Sequence, residues 1–126
     1  MRRCVTMLWV AVMALAFVAC GEDEAIKHAA ELTGGDPARG PAKMQYYGCG
    51  ACHTIPGVDG ADALVGPELT HFASRVYVAG VLPNSPDNVV RWIRNPKQVD
   101  GLTAMPNLNV SEADARDIAG YLYTLK

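Results

Sequence analysis

Apolar residues recur at helical spacing in three stretches of this 126-residue chain, and strand-like alternation is almost absent. The first stretch runs from about Asp36 or Pro41 to Tyr47, with Met44 and Tyr47 turned toward a core. Asp36-Pro37 reads as an N-cap followed by proline at the first helical position. Pro41 biases Gly40 away from the α region, which predicts a late start or a kink. The second stretch is capped by Ser85 or Asp87, carries Val89, Val90, Trp92 and Ile93 on its apolar face, and is stopped by Pro96. The third opens at Ser111-x-x-Asp114, a variant capping box, with Ile118, Tyr121, Leu122 and Leu125 on one stripe. Between them Ile55-Pro56-Gly57 turns the chain, Val58–Val65 is a loop, Asp100-Gly101 is a turn and Thr103–Pro106 is irregular. The pattern predicts an all-α domain of three to four short helices.

A different pattern precedes residue 36. Arg2 and Arg3 make a positive start, and Val5–Ala19 carries no charge. That run is long for the apolar core of a secretory signal and short for a full membrane span, so export is the better reading. Phe17-Val18-Ala19-Cys20-Gly21 resembles the lipobox of bacterial lipoproteins, with Phe17 where leucine is usual. Residues 1–20 therefore read as a leader, and Cys20 as a lipidation site that anchors the rest at a membrane surface. Ordinary cleavage near Ala19 and an uncleaved anchor are the alternatives. Residues 21–35 read as a flexible polar tether: Ala25–Leu32 is long enough for a short helix, and Gly34-Gly35 breaks it. Residues 36–126 make one small domain.

The chemistry is concentrated in Cys49-Gly50-Ala51-Cys52-His53, the Cys-x-x-Cys-His signature of c-type haem attachment. Two thiols at this spacing reach the two vinyl groups of one haem. His53, next in line, falls on one face of the ring and can ligate iron. Gly50 and Ala51 are small enough to let backbone approach the ring edge. The same Cys-x-x-Cys could be half of a zinc site, but no second pair and no His-x-x-x-His follows. It could be a thioredoxin-like redox motif, but that wants a βαβ context. So short a chain buries a thin core, and a covalently held apolar cofactor would supply much of it.

Of the four cysteines, Cys4 falls in the leader, Cys20 takes the lipid and two hold haem, which leaves none for a disulfide. Arg2 and Arg3 are two of 11 basic residues; the other nine face 13 acidic ones, a formal charge of −4, which does not suggest nucleic-acid binding. His28 and His71 read as surface or tether residues, and Met44 as packing rather than a ligand.

From Asp36 to Leu125 the chain resembles the class I cytochrome c family. The resemblance rests on Cys49–His53, Gly66-Pro67-x-Leu69, Arg75, Trp92-Ile93-Arg94-Asn95-Pro96 and Thr103-Ala104-Met105-Pro106, in the family's order. Leu82-Pro83-Asn84-Ser85-Pro86-Asp87-Asn88 and the closing helix are similar to the cytochrome c domain fused to subunit II of caa-type oxidases. The resemblance implies the class I cytochrome c fold, with its helices wrapped around one covalently bound haem. It implies His53 as proximal ligand, Met105 as distal ligand, and the Pro67 carbonyl as acceptor of the His53 ring N–H. It gives Arg75 a haem propionate to neutralise, places Trp92 beside the distal ligand, and makes Gly40 and Tyr121 the crossing of first and last helices. Asp100-Gly101-Leu102 stands where the family often has Pro-Gly, which suggests a less rigid loop around Met105.

Imidazole and thioether on opposite faces leave iron no open position, so such a haem transfers electrons rather than binding substrate. The sequence therefore predicts a mono-haem electron carrier, not an enzyme, on the periplasmic side of a bacterial membrane, lipid-anchored or soluble. Its expected partners are a quinol-oxidising reductase or dehydrogenase as donor and a terminal oxidase as acceptor, with no nucleic acid and no small-molecule substrate. The alternatives are a permanent oxidase subunit, a haem enzyme or sensor with an open distal position, and a haemless binding module.

Overall fold

The computed structural model describes residues 21–126. The expected leader, with the lipid site Cys20, lies outside the described residues. Helix α1 spans residues 21–33, so the stretch read as a flexible tether is helical from the first described residue. Its composition explains this: three alanines and three glutamates, with Lys27 and Leu32, are all good helix formers. The C-terminal turn of α1 is also packed. Ala29 and Thr33 are buried, and Thr33 Oγ1 donates to the Ala29 carbonyl at 2.8 Å. Gly34, at φ 68°, then ends the helix.

A 3₁₀ turn, Pro37–Arg39, leads directly into α2, Gly40–Tyr46. Asp36 caps the turn by accepting from Ala38 N at 3.0 Å. Pro41 has no N–H to give, so the chain takes a tight turn before it and becomes α-helical with Gly40 at φ −51°, ψ −51°. Gly40 is thus in the α region, against the bias expected from Pro41, and the late start does not occur: the helix begins at Gly40, straight from the 3₁₀ turn.

After the 3₁₀ turns Cys49–Ala51 and Phe72–Ser74, the chain forms a small antiparallel ribbon. Strands β1 (Tyr77–Val78) and β2 (Leu82–Pro83) pair Tyr77 with Pro83 and Val78 with Leu82. Two-residue strands are too short for an alternation to be visible in sequence. Helix α3 is Pro86–Arg94 and buries Val89, Val90 and Ile93, with Trp92 half-buried. Ser85 occupies its N-cap position but makes no side-chain cap bond, and Asp87 lies in the first turn. Pro96 does stop α3, yet it also opens a short helix α4, Pro96–Val99, because proline suits a first helical position.

Helix α5, Glu112–Thr124, is the hub, packing on α2, α3 and both the Pro37–Arg39 and Phe72–Ser74 turns. Ser111 Oγ accepts from Asp114 N at 3.1 Å. The reciprocal half of the capping box is missing, because the Asp114 carboxylate is taken by Lys43 and Tyr47. Ala115, Ile118, Ala119 and Leu122 form the buried stripe. A Cβ on Gly40 would stand 2.3 Å from Tyr121 Cβ and 2.9 Å from the Asp117 carbonyl, so only glycine permits α2 and α5 to cross this closely.

Asp117 secures the same junction. Its carboxylate is buried and accepts from Asp36 N at 2.7 Å, from Arg39 Nε at 2.8 Å and from Arg39 Nη2 at 3.1 Å. A buried carboxylate with a two-pronged guanidinium and a backbone donor is fully compensated. On the α1 side, Arg116 Nη1 donates to the Thr33 carbonyl at 3.0 Å. Among the described residues, no helix is long and apolar enough to cross a membrane.

Candidate functional site

The elements around α5 enclose a cavity of about 400 Å³, within the usual range for small-molecule and cofactor sites. Its lining is largely apolar, with Met44 from α2, Phe72 from the 72–74 turn, Val78 from β1, Val89 and Ile93 from α3, and Ile118 and Leu122 from α5. Cys49, Cys52, His53, Pro67, Arg75, Trp92 and Met105 all line this one cavity. They come from five separate segments, which sequence order alone does not bring together.

The Cys49–His53 segment follows α2 through Gly48, a left-handed residue at φ 72°. Cys52 N and His53 N both donate to the Cys49 carbonyl, at 3.2 and 3.1 Å. This tight coil puts Cys49, Cys52 and His53 on one wall. Both thiols are free and half-buried. Burial pushes the Cys49 thiol above its ordinary range, with the neighbouring Cys52 adding to it.

Gly50 is also closely packed within the protein itself. A Cβ there would lie 2.9 Å from Ala61 Cβ, so its small size serves packing on the 55–61 turn. Ala51 is exposed. That turn is closed by Ile55 N to Ala61 O at 2.9 Å and an isolated bridge between Thr54 and Asp62.

The imidazole is fixed from outside the motif. His53 Nδ1 lies 2.7 Å from the Pro67 carbonyl oxygen. A carbonyl only accepts, so Nδ1 carries a proton, and in the neutral ring the lone pair falls on Nε2. The Gly66–Leu69 stretch is itself tied down, with Gly66 N to Cys52 O at 2.7 Å and Leu69 N to Thr54 O at 2.8 Å. Gly66 belongs to the site, though the sequence reading gave it no role there. A Cβ on it would meet His53 Cε1 at 2.5 Å and Nδ1 at 2.8 Å.

Met105 is half-buried in the irregular segment after α4. Asp100-Gly101-Leu102 is internally braced: Asp100 Oδ1 accepts from Leu102 N at 2.9 Å, and Asp100 O accepts from Thr103 N at 3.2 Å. Thr103 Oγ1 then accepts from Met105 N at 3.2 Å, and Lys97 Nζ donates to the Thr103 carbonyl. Asn107 Nδ2 reaches Asn95 Oδ1 at 3.3 Å. The Asp100 side chain thus closes the turn that leads to Met105.

Arg75, half-buried, lines the cavity and donates to the carbonyls of Glu68 and, at 3.0 Å, Thr70. No ion pair joins it to a carboxylate within 4.0 Å among the described residues. Its charge is therefore held by neutral oxygens and left available to an anionic guest. His28 and His71 are exposed, as expected, and Met44 is fully buried beneath the cavity.

No family model matches the chain, and no solved structure does. Among known proteins, the chain is similar to cytochrome c oxidase subunit 2 of Alkalihalophilus pseudofirmus, at 35% identity over 89 residues. That match covers 70% of this chain and 25% of the oxidase subunit, so the chain spans about a quarter of its relative. The likeness supports a cytochrome-related family.

Proposed function

We propose that this cavity holds one c-type haem and that the domain transfers single electrons in a respiratory chain. The observation that carries the reading is convergence. Two free thiols at attachment spacing, an imidazole oriented through Nδ1 and a thioether share one apolar cavity. The residues fit the group in chemistry as well. The lining accommodates an apolar ring, and Arg75 offers an uncompensated cation to ring carboxylates.

Bound there, haem would supply a one-electron iron couple. Cys49 and Cys52 would attach it, and His53 would ligate through Nε2. The Pro67 carbonyl fixes the imidazole's tautomer and raises its basicity. Met105 would present a soft thioether, a donor that favours the lower oxidation state. Phe72, Ile93, Ile118 and Leu122 exclude water and leave added charge poorly solvated. With His53 and Met105 both offered to the iron, the domain would have the class I cytochrome c fold and would carry electrons rather than bind a substrate.

The relative is an oxidase subunit, which favours a terminal oxidase as electron acceptor or as a complex that retains this domain permanently. A quinol-oxidising reductase or dehydrogenase is the matching donor. A leader and a lipidated Cys20 would place the domain on the periplasmic side of a bacterial membrane.

The test is expression with haem-attachment machinery, followed by mass measurement and spectroscopy. The chain should gain one haem, low-spin in both oxidation states. In Cys49→Ala/Cys52→Ala any haem should be extractable by acidified organic solvent. A high-spin ferric spectrum, or rapid binding of carbon monoxide by the reduced protein, sinks the carrier reading in favour of gas or peroxide chemistry. A mass matching bare polypeptide sinks the haem itself.

A further inference from the structure

The Leu82–Asn88 motif contributes nothing to the cavity lining through Asn84, yet Asn84 is among the most engaged side chains nearby. Its Nδ2 donates to two carbonyls, Phe72 O and Arg75 O, each at 3.0 Å. Its Oδ1 accepts from the Tyr123 hydroxyl at 2.8 Å. Its backbone N donates to the Val76 carbonyl at 2.9 Å. One side chain thus closes the Phe72–Arg75 turn from both ends and ties it to α5.

Tyr123 grips the same turn by a second route. Its ring meets Phe72 edge-to-face, with centroids 6.0 Å apart at 85°. Phe72 in turn lies under the Arg75 guanidinium, whose carbon stands 5.6 Å from the ring centroid. Burial holds the Tyr123 hydroxyl above its ordinary pKa, so it stays a donor through neutral pH. The chain of contacts runs Tyr123, Asn84, the 72–75 backbone and Arg75, and only Phe72 and Arg75 line the cavity.

We infer that Asn84 and Tyr123 are positioning residues that fix the backbone carrying Arg75, so that with the Glu68 and Thr70 carbonyls they hold its cation in the cavity lining and thereby raise the reduction potential of the site. The inference rests on the cavity being the cofactor site. A fixed cation beside a redox centre opposes the more positive oxidation state and raises the potential. That effect depends on distance, so a loosened Arg75 acts like a weakened one. Asn84 is suited to the task because an amide alone offers two donors to carbonyls and an acceptor to a phenol from one planar group.

The experiment is a double-mutant cycle read by redox titration of the full-length holoprotein. Arg75→Gln should lower the potential. Tyr123→Phe and Asn84→Leu should each lower it by part of that fall. Neither should lower it further in the Arg75→Gln background, because the cation they position is gone. A merely structural role would shift the potential equally in both backgrounds, and that result overturns the inference while leaving the electron-transfer reading intact. Hydrogen exchange at the Arg75 guanidinium, followed by nitrogen-15 NMR, gives a readout independent of the couple. It should quicken several-fold in Tyr123→Phe and Asn84→Leu. If the chain takes no haem, the functional reading fails, and unchanged exchange in both variants then overturns the positioning role on its own.

Discussion

His53 Nδ1 and the carbonyl oxygen of Pro67 are 2.7 Å apart, and the chain between them passes Gly66 directly against the imidazole. The bond fixes the proton on Nδ1, and the glycine lets the backbone come close enough to make it. A methyl group on Gly66 would overlap the ring at 2.5 Å from Cε1. The Gly66 backbone cannot retreat freely, because its N–H is committed to the Cys52 carbonyl.

Gly66→Ala is therefore expected to push His53 away from Pro67. Overpacking of this kind costs about 1–3 kcal/mol, seen as a lower midpoint in denaturant unfolding. If haem is held as proposed, the loaded protein should also shift toward a high-spin spectrum. Unchanged stability and spectrum together would mean that the imidazole is not seated where Gly66 and Pro67 hold it.

The ion pair of Lys43 and Asp114 predicts a pH dependence on both limbs. Lys43 Nζ stands 2.7 Å from Asp114 Oδ1, and the Tyr47 hydroxyl donates to Oδ2 at 2.8 Å. Lys43 first and Tyr47 second hold the Asp114 carboxyl below its usual range. A depressed carboxylate contributes stability above its unfolded value of about 3.9, and that contribution is lost as pH falls through the lower folded value. Asp114 likewise raises Lys43. The lysine's contribution is full below its unfolded value of about 10.4 and is lost as pH rises through the higher folded one. Asp114→Asn should flatten both the acid and alkaline limbs of unfolding free energy against pH. A variant as steep as the parent on both limbs would remove this pair from the account.

Much of this arrangement was legible in the sequence, for physical reasons that differ by element. Ile118 and Leu122 announced α5 because a half-buried helix forces a 3.6-residue period on its apolar residues. Cys49, Cys52 and His53 were visible because their chemistry demands fixed spacing. Pro67, Arg75, Trp92 and Met105 were reached only by resemblance, since residues from separate segments meet through the fold. Asp117 was invisible: a buried carboxylate on an apolar face reads as a polar lapse until Arg39 and Asp36 N are seen around it. The β1–β2 ribbon was missed because two residues make no period. The docking of α1 was missed because alanine and threonine signal burial weakly, and the stretch was read as a tether from its charges and paired glycines.

Membrane attachment is tested at Cys20, outside the described residues. Cys20→Ala should release the domain into the soluble fraction if an acyl chain is the anchor. Attachment that persists, with the leader still on the chain, points instead to an uncleaved signal anchor. Holoprotein accumulating in the cytoplasm would refute export altogether.

On the proposed haem reading, Met105 would separate a carrier from an enzyme at one residue. It lies 52 residues beyond His53, enough chain to pass across the cavity. Pro106 biases it toward extended backbone, and the structure shows irregular chain there rather than helix. Thr103, Lys97 and Asp100 brace the segment, so the thioether is presented from an ordered strap. No other methionine follows the Cys49–His53 motif, so nothing of the same chemistry can replace it. Met105→Ala should remove the weak near-infrared band of sulfur-to-iron charge transfer from the ferric spectrum. The potential should fall as the soft donor is lost, and peroxide reactivity should rise as a coordination position opens. Asp100→Ala removes the acceptor for Leu102 N without touching the thioether. It should keep the band and broaden it, because the strap loses order but not its sulfur. A parent protein without the band, or a Met105→Ala variant that retains it, would show that Met105 is not the ligand, and the carrier reading would then lose the feature that closes its sixth position.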